Sequence, residues 1–169
     1  MAFNHRHRLA SGYTPAAPRH TSSLGSAILG LVQEIPLLEN GFIRITRLPE
    51  RGVVLLVRSS AELPRDEEGL RAYFEQVIES MRLVHKPSHD IIIDGRKAVG
   101  RNDELFESLQ LEYLPQLFAD FRRVAGVVNT LVGRMQVSRY NLKNKEVQST
   151  LFSTSEDALA WLAENPPEG

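Results

Sequence analysis

From residue 41 onward, hydrophobic positions recur with two periods, and each switch between them marks an element. Phe42, Ile43 and Ile45 interleave with Arg44, Thr46 and Arg47. Pro49 and Gly52 then lead into the apolar run at 53–57, so the two segments predict an antiparallel hairpin. Asp66 stands where a helix cap belongs, with Glu67 and Glu68 behind it. Leu70, Phe74, Val77, Ile78, Met81 and Val84 follow at helical spacing, which predicts an amphipathic helix. Pro87 and Ser88 break that pattern ahead of Asp90–Asp94, where the run Ile91, Ile92 and Ile93 has no polar interruption. Such a β-branched run predicts a strand covered on both faces, hence the central one.

A polar loop at 95–101 separates this strand from a second helix. Asn102 is its expected cap; Phe106, Leu109, Tyr113, Leu117 and Phe121 lie along one face, and Pro115 is expected to kink or divide it. Residues 124–128 read as another buried strand, and 147–152 as the last one. Between them 131–142 fits either period: Val132, Met135 and Arg139 suit a helix, while Met135, Val137 and Arg139 suit a strand. Ser153 and Glu156 have capping-box spacing ahead of a short helix whose Trp161 and Leu162 should face the sheet. The order β-β-α-β-α-β-(α)-β-α implies an α/β fold: a mixed, mostly parallel sheet of about five strands, with helices packed on it through right-handed crossovers.

Two stretches precede this domain, which spans 41–165. Residues 24–40 form a short apolar docking segment, with Leu24, Ile28, Leu31, Val32 and Ile35 at helical spacing despite Gly25, Gly30 and Pro36. Residues 1–23 carry scarcely any large apolar side chain and are expected to form a disordered tail.

Composition narrows the function classes. At 169 residues with 42% hydrophobic content the chain is long enough for one domain with its own core. The absence of cysteine excludes a disulfide framework, a thiolate metal site and a cysteine nucleophile. Net charge is −1, and Arg6, Arg8 and Arg19 are the only formal charges before Glu34. The tail is therefore mildly basic and the body mildly acidic, which argues against nucleic acid as a partner. The apolar run at 24–32 lies too far from Met1, and lacks a small-residue cleavage site, to read as a signal peptide; a cytoplasmic location is expected. No stretch approaches the ~20 apolar residues of a membrane span.

The element order, the strand-to-loop segment from Asp90 to Arg101, and a late segment in which Phe152 ends a strand before a capped helix carrying Ala158, Leu159, Ala160, Trp161 and Leu162 together resemble the STAS superfamily. The closer similarity is to its SpoIIAA-like branch of small bacterial proteins, over residues 41–164. In the anti-sigma-factor antagonists of that superfamily, a serine at the start of the second helix is phosphorylated to switch partners. The matching loop at 94–103 holds no Ser or Thr, and the first hydroxyl is Ser108, so the resemblance does not bring that switch here. Other SpoIIAA-like proteins are thought to bind apolar ligands, which agrees with the missing serine.

Candidate chemistry gathers where the central strands end. Asp94 and Arg96 follow the isoleucine run, a position at which open α/β sheets place their sites. Arg96, Lys97 and Arg101, with Asn102 and Asp103 at the start of the second helix, form a contact for an acidic partner or anion. The competing reading is a salt-bridged loop that only positions the helix, since these residues match no phosphate-cradle pattern. Asn129, Thr130, Gly133 and Arg134 follow the next strand at the same edge, so the two loops should make one composite face. Phe106, Tyr113, Phe118 and Phe121 either line a ligand pocket or form ordinary core.

Metal and catalytic signals are lacking. His5, His7 and His20 lie in the tail without a nearby carboxylate or thiolate, and His85 and His89 flank Pro87 as loop residues. No Gly-x-Ser-x-Gly turn is present, so no enzyme activity, cofactor or metal is expected. The leading expectation is a non-catalytic protein-interaction or scaffold module in bacterial signalling. It would dock a protein partner through Asp94, Arg96, Lys97, Arg101, Asn102, Asp103, Asn129 and Arg134. The alternative is a carrier or sensor of a small apolar, lipid-like molecule held between the aromatic second helix and the sheet. A dimeric state is left open.

Overall fold

The computed structural model describes residues 33–145 and 147–166. The expected tail at 1–23, with its histidines, and residues 24–32 of the expected docking segment lie outside the described residues. The remainder of that segment is not helical. Ile35–Glu39 is a strand, β1, which pairs antiparallel with β2 (Ile43–Leu48) and shifts register between Pro36 and Leu38. Pro36 disfavours a helix interior and is tolerated on an edge strand, so the ladder offered by β2 overrides the helical spacing.

β2 and β3 (Val53–Arg58) form the expected hairpin, and Gly52 closes its turn at φ 58°. A Cβ there would stand 3.3 Å from the Ser88 carbonyl oxygen, so both conformation and space favour glycine. The chain then alternates through α1 (Glu67–Met81), β4 (Asp90–Asp94), α2 (Glu104–Phe118), β5 (Val124–Val127), α3 (Leu131–Lys143), β6 (Ser149–Phe152) and α4 (Ser155–Glu164). The sheet has six strands in chain order, antiparallel from β1 to β3 and parallel from β3 to β6. The α/β class and the mixed, mostly parallel sheet agree with the sequence; β1 is the strand that was not foreseen. Among the described residues no helix is long and apolar enough to cross a membrane.

Strand order that follows chain order puts consecutive crossover helices on one face when the crossovers share a hand. α1 and α2 cover that face, packing Leu70, Phe74, Val77, Leu109 and Leu117 on Ile43, Ile45, Val54, Leu56 and Ile91. α4 covers the other face, setting Ala158 and Leu162 on Leu48, Val53, Ile92, Ala125 and Val127. Ile91 and Ile92 are thus both fully buried, from opposite sides, which is why the run contains no polar residue.

Three local expectations shift. Asp103, not Asn102, caps α2, its Oδ1 accepting from the Phe106 amide at 3.1 Å, and Thr154, not Ser153, caps α4. In both places two adjacent polar residues can cap, and the chosen one is that whose side chain reaches the amide three residues on. α2 runs through Pro115 undivided and ends at Phe118, less than a turn later. The ambiguous stretch at 131–142 is helical, capped by Thr130.

At the amino end of β4, buried Asp90 pairs with Arg122 at 3.0 Å and Arg123 at 2.7 Å. Arg123 also lies 5.3 Å over the Trp161 ring and donates to the carbonyl oxygens of Leu162 and Asn165. These contacts pin the carbonyl end of α4, where a cation is favoured, to the sheet. The opposite end of the sheet is left for the loops.

Candidate ligand cavity and the loops above it

The loops after β4 and β5 meet, as their shared strand edge requires. A Cβ built on Gly100 would stand 2.8 Å from Val132 Cγ1, and Gln136 of α3 donates to the Arg101 carbonyl. The charges on this face, however, are largely satisfied within the chain. Asp94 is buried and takes a two-pronged guanidinium contact from Arg96, Nη2 to Oδ2 at 2.6 Å, together with the Arg96 amide and the Ser155 hydroxyl. Burial opposes ionisation of Asp94, but these hydrogen bonds and the Arg96 charge outweigh it and hold the carboxyl below its ordinary range.

Arg101 closes a similar fork on Asp103 at 2.7 and 2.8 Å and lies 4.9 Å over the Phe106 ring. That hydrogen-bonded guanidinium brings the Asp103 carboxyl down to about 2. Arg134 donates to Ser153. Lys97, Asn102 and Asn129 are exposed. The salt-bridged loop anticipated as the competing reading thus describes Asp94, Arg96, Arg101 and Asp103. These four position the starts of α2 and α4; of the expected contact set, Arg96 and Asp103 are exposed together with Lys97, Asn102 and Asn129, but each of those two is already paired with a neighbouring counter-charge.

Beneath the loops, between the sheet and the helices, lies a cavity of about 220 Å³. Its floor is Leu56 and Arg58 of β3, Ile93 of β4 and Gly126 of β5; α1 contributes Phe74 and Val77, α2 Phe106 and Leu117, and α3 Gln136, Val137 and Tyr140. Its origin is readable residue by residue. Gly126 is an inward position of a buried strand that carries no side chain, and Leu151 of β6 takes only part of the space so left, its Cδ2 standing 2.9 Å from where a Cβ would be. α3, which should fill the space above it, has no buried residue at all. It is held instead at its margins, by Arg139 and Lys143 on Glu107 at 3.1 and 3.4 Å and by Asn141 on the Ser149 carbonyl. Exposed ion pairs of this kind contribute about 0–1 kcal/mol each, so α3 is tethered more than packed.

Of the aromatic stripe, Phe106 and Phe118 line the cavity. Tyr113 stacks on Phe74 at 5.1 Å, and both it and Phe121 belong to the ordinary core.

Arg58 was not anticipated. It continues the inward register of Val54 and Leu56, so a cation closes an otherwise apolar floor. Its Nη2 donates to the Ser60 carbonyl oxygen at 3.1 Å, while its Nε is buried without a partner. Burial pulls this guanidinium down from its ordinary range, against an opposing effect of Tyr73, and burial likewise pushes the Tyr73 phenol up. The signal available in the sequence was a single arginine in step with the inward side chains of an apolar run.

No protein-family model matches the chain, and no curated protein or solved structure matches it either.

Proposed function

We propose that this protein is a non-catalytic binding module that takes up a small apolar molecule between its sheet and helices α1–α3, as a carrier or sensor. The observation that carries this reading is the cavity itself. Cores are normally packed to crystal-like density, and an apolar void of about 220 Å³ forgoes contacts that an occupant would restore. Its size exceeds the ~150 Å³ apolar cavity known to take up benzene. It lies under the carboxyl ends of the strands, where α/β sheets place ligands. The element order from β2 to α4 supports placing the chain beside SpoIIAA-like proteins, and we extend the proposal to a role in bacterial signalling from the cytoplasm. Native mass spectrometry of freshly purified protein tests the reading: a co-purified small molecule, or uptake of an added apolar probe, is expected. A chain that stays at its bare mass with every apolar probe offered would remove the assignment.

A second reading, docking of a protein partner on the composite face, has one observation in its favour. Val99, Leu131, Val132 and Met135 are all more than half exposed around the solvent-facing Lys97, Asn102 and Asn129. An apolar patch ringed by polar side chains marks interaction surfaces. Replacing Leu131 and Met135 by serine while leaving the cavity untouched should abolish partner capture without altering small-molecule uptake, and unchanged capture would discard the docking face.

A further inference from the structure

Arg58 gives the cavity a chemical polarity. Among the described residues no carboxylate pairs with it, whereas the neighbouring arginines of the adjoining depression are already matched, Arg65 to Glu62 at 3.2 Å and Arg101 to Asp103 at 2.7 Å. That depression, about 430 Å³, shares Arg58, Leu63 and Phe106 with the cavity, so Arg58 stands at the junction of an apolar chamber and a polar vestibule. A guanidinium carries five N–H donors, and here one is committed to Ser60. Apart from that bond the guanidinium has no hydrogen-bond partner among the described residues, so donors remain for a carboxylate, which guanidinium groups bind in charge-assisted pairs. A partly buried charge without a counter-charge keeps some of the cost of desolvation, and an occupant that supplies one offsets it. Tyr73, whose phenol keeps its proton at neutral pH, lines the same chamber and offers a neutral O–H donor.

We propose that the occupant is an amphiphilic carboxylate, its head group paired with Arg58 and its apolar body lying over Ile93 and Gly126 toward Val137. Benzene's six carbons in ~150 Å³ scale to about nine or ten non-hydrogen atoms in this chamber, the size of a medium-chain fatty acid or a simple aromatic acid. Ordinary lipids with two long chains are far too large. The inference rests on the cavity reading above and adds to it the sign of the ligand's charge, its head group and its length.

Octanoate and 1-octanol separate the two levels, because they share a tail and differ in the head. Titration of the full-length protein, stripped of co-purified molecules, is expected to show octanoate binding at least tenfold tighter than octanol. Arg58→Met should erase that preference while retaining octanol, and Arg58→Lys should restore part of it, since ammonium keeps the charge but not the fork. Equal binding of the two probes to the wild type would overturn the carboxylate inference and leave the cavity reading standing. Failure of both probes to bind would overturn the cavity reading and this inference with it. The wild-type comparison needs no variant, so a misfolded Arg58→Met does not shelter the proposal.

Discussion

Replacing Val137 by phenylalanine should make the protein more stable and less able to bind. Val137 sits on α3 and points into the cavity, and α3 is the wall with the least packing to lose. The chamber of about 220 Å³ is partly open to solvent, so what a filling side chain recovers is the burial of its added carbons, at most about 0.8 kcal/mol for each one fully buried. The substitution adds about four carbons, which at benzene's occupancy fill about 100 Å³ and, incompletely buried, recover about 2 kcal/mol. For a domain of this length that is a rise in Tm of about 4–8 °C. Circular dichroism melts of stripped wild type and variant read the stability, and octanoate titration reads the binding, which should weaken by more than tenfold. A fall in Tm would mean that the added ring is overpacked, so that the space does not exist in solution, and the reasoning from cavity to ligand would fail with it.

Asp90→Asn keeps the volume but strips two arginines of their counter-charge. It should lower stability by about 3 kcal/mol, toward the lower end for buried pairs because Arg122 and Arg123 retain some solvent, with the urea midpoint falling at unchanged slope. Asp103 titrates at about 2 in the folded protein against an ordinary 3.8, so its charge contributes stability that is fully present above 3.8 and is lost as pH falls through about 2. Asp103→Asn still caps α2, so wild type should exceed it in urea midpoint at pH 5 and converge with it near pH 2; a gap independent of pH would refute the pairing with Arg101. Amides of α3 should exchange with solvent at a lower opening free energy than those of α1, and octanoate should protect them selectively; uniform protection across both helices would contradict the tethered-wall description.

Several elements were legible because one physical requirement dominated each. The isoleucine run had to be a doubly covered strand, and Asp66 followed by an apolar 3.6-residue period had to start α1. β1 escapes the pattern because Ile35 completes a helical series that Pro36 interrupts, and only the open edge of β2, a partner remote from local propensity, settles the matter. The stretch from Leu131 to Lys143 carries neither a clean apolar stripe nor a strand alternation, and its helix faces a void, so the pattern had nothing to report. The position of the candidate loops was legible from topology, but their spacing also held the counter-reading: Asp94 with Arg96, and Arg101 with Asp103, are each two residues apart and close on one another. The cavity left almost no trace, because it consists of missing side chains. Gly126 within an apolar run and Arg58 at the end of another become meaningful only when the parallel pairing of β3, β4 and β5 lays them on one floor.

The division of labour among the helices follows from the same pairing. α1 and α2 bury aromatic and aliphatic side chains on the sheet, and α4 is clamped at its far end by Arg123, so those three gain little from an occupant. α3 has the opposite balance: its inward residues Gln136, Val137 and Tyr140 border empty space, while its outward residues Leu131, Val132 and Met135 are exposed. An apolar molecule in the chamber would supply the contacts that α3 lacks. Its binding energy would then appear chiefly as ordering of α3 and of the loop that Gln136 joins to it at Arg101. The surface that changes is the one carrying the exposed apolar patch, so a filled chamber and an altered docking face would be two consequences of one event.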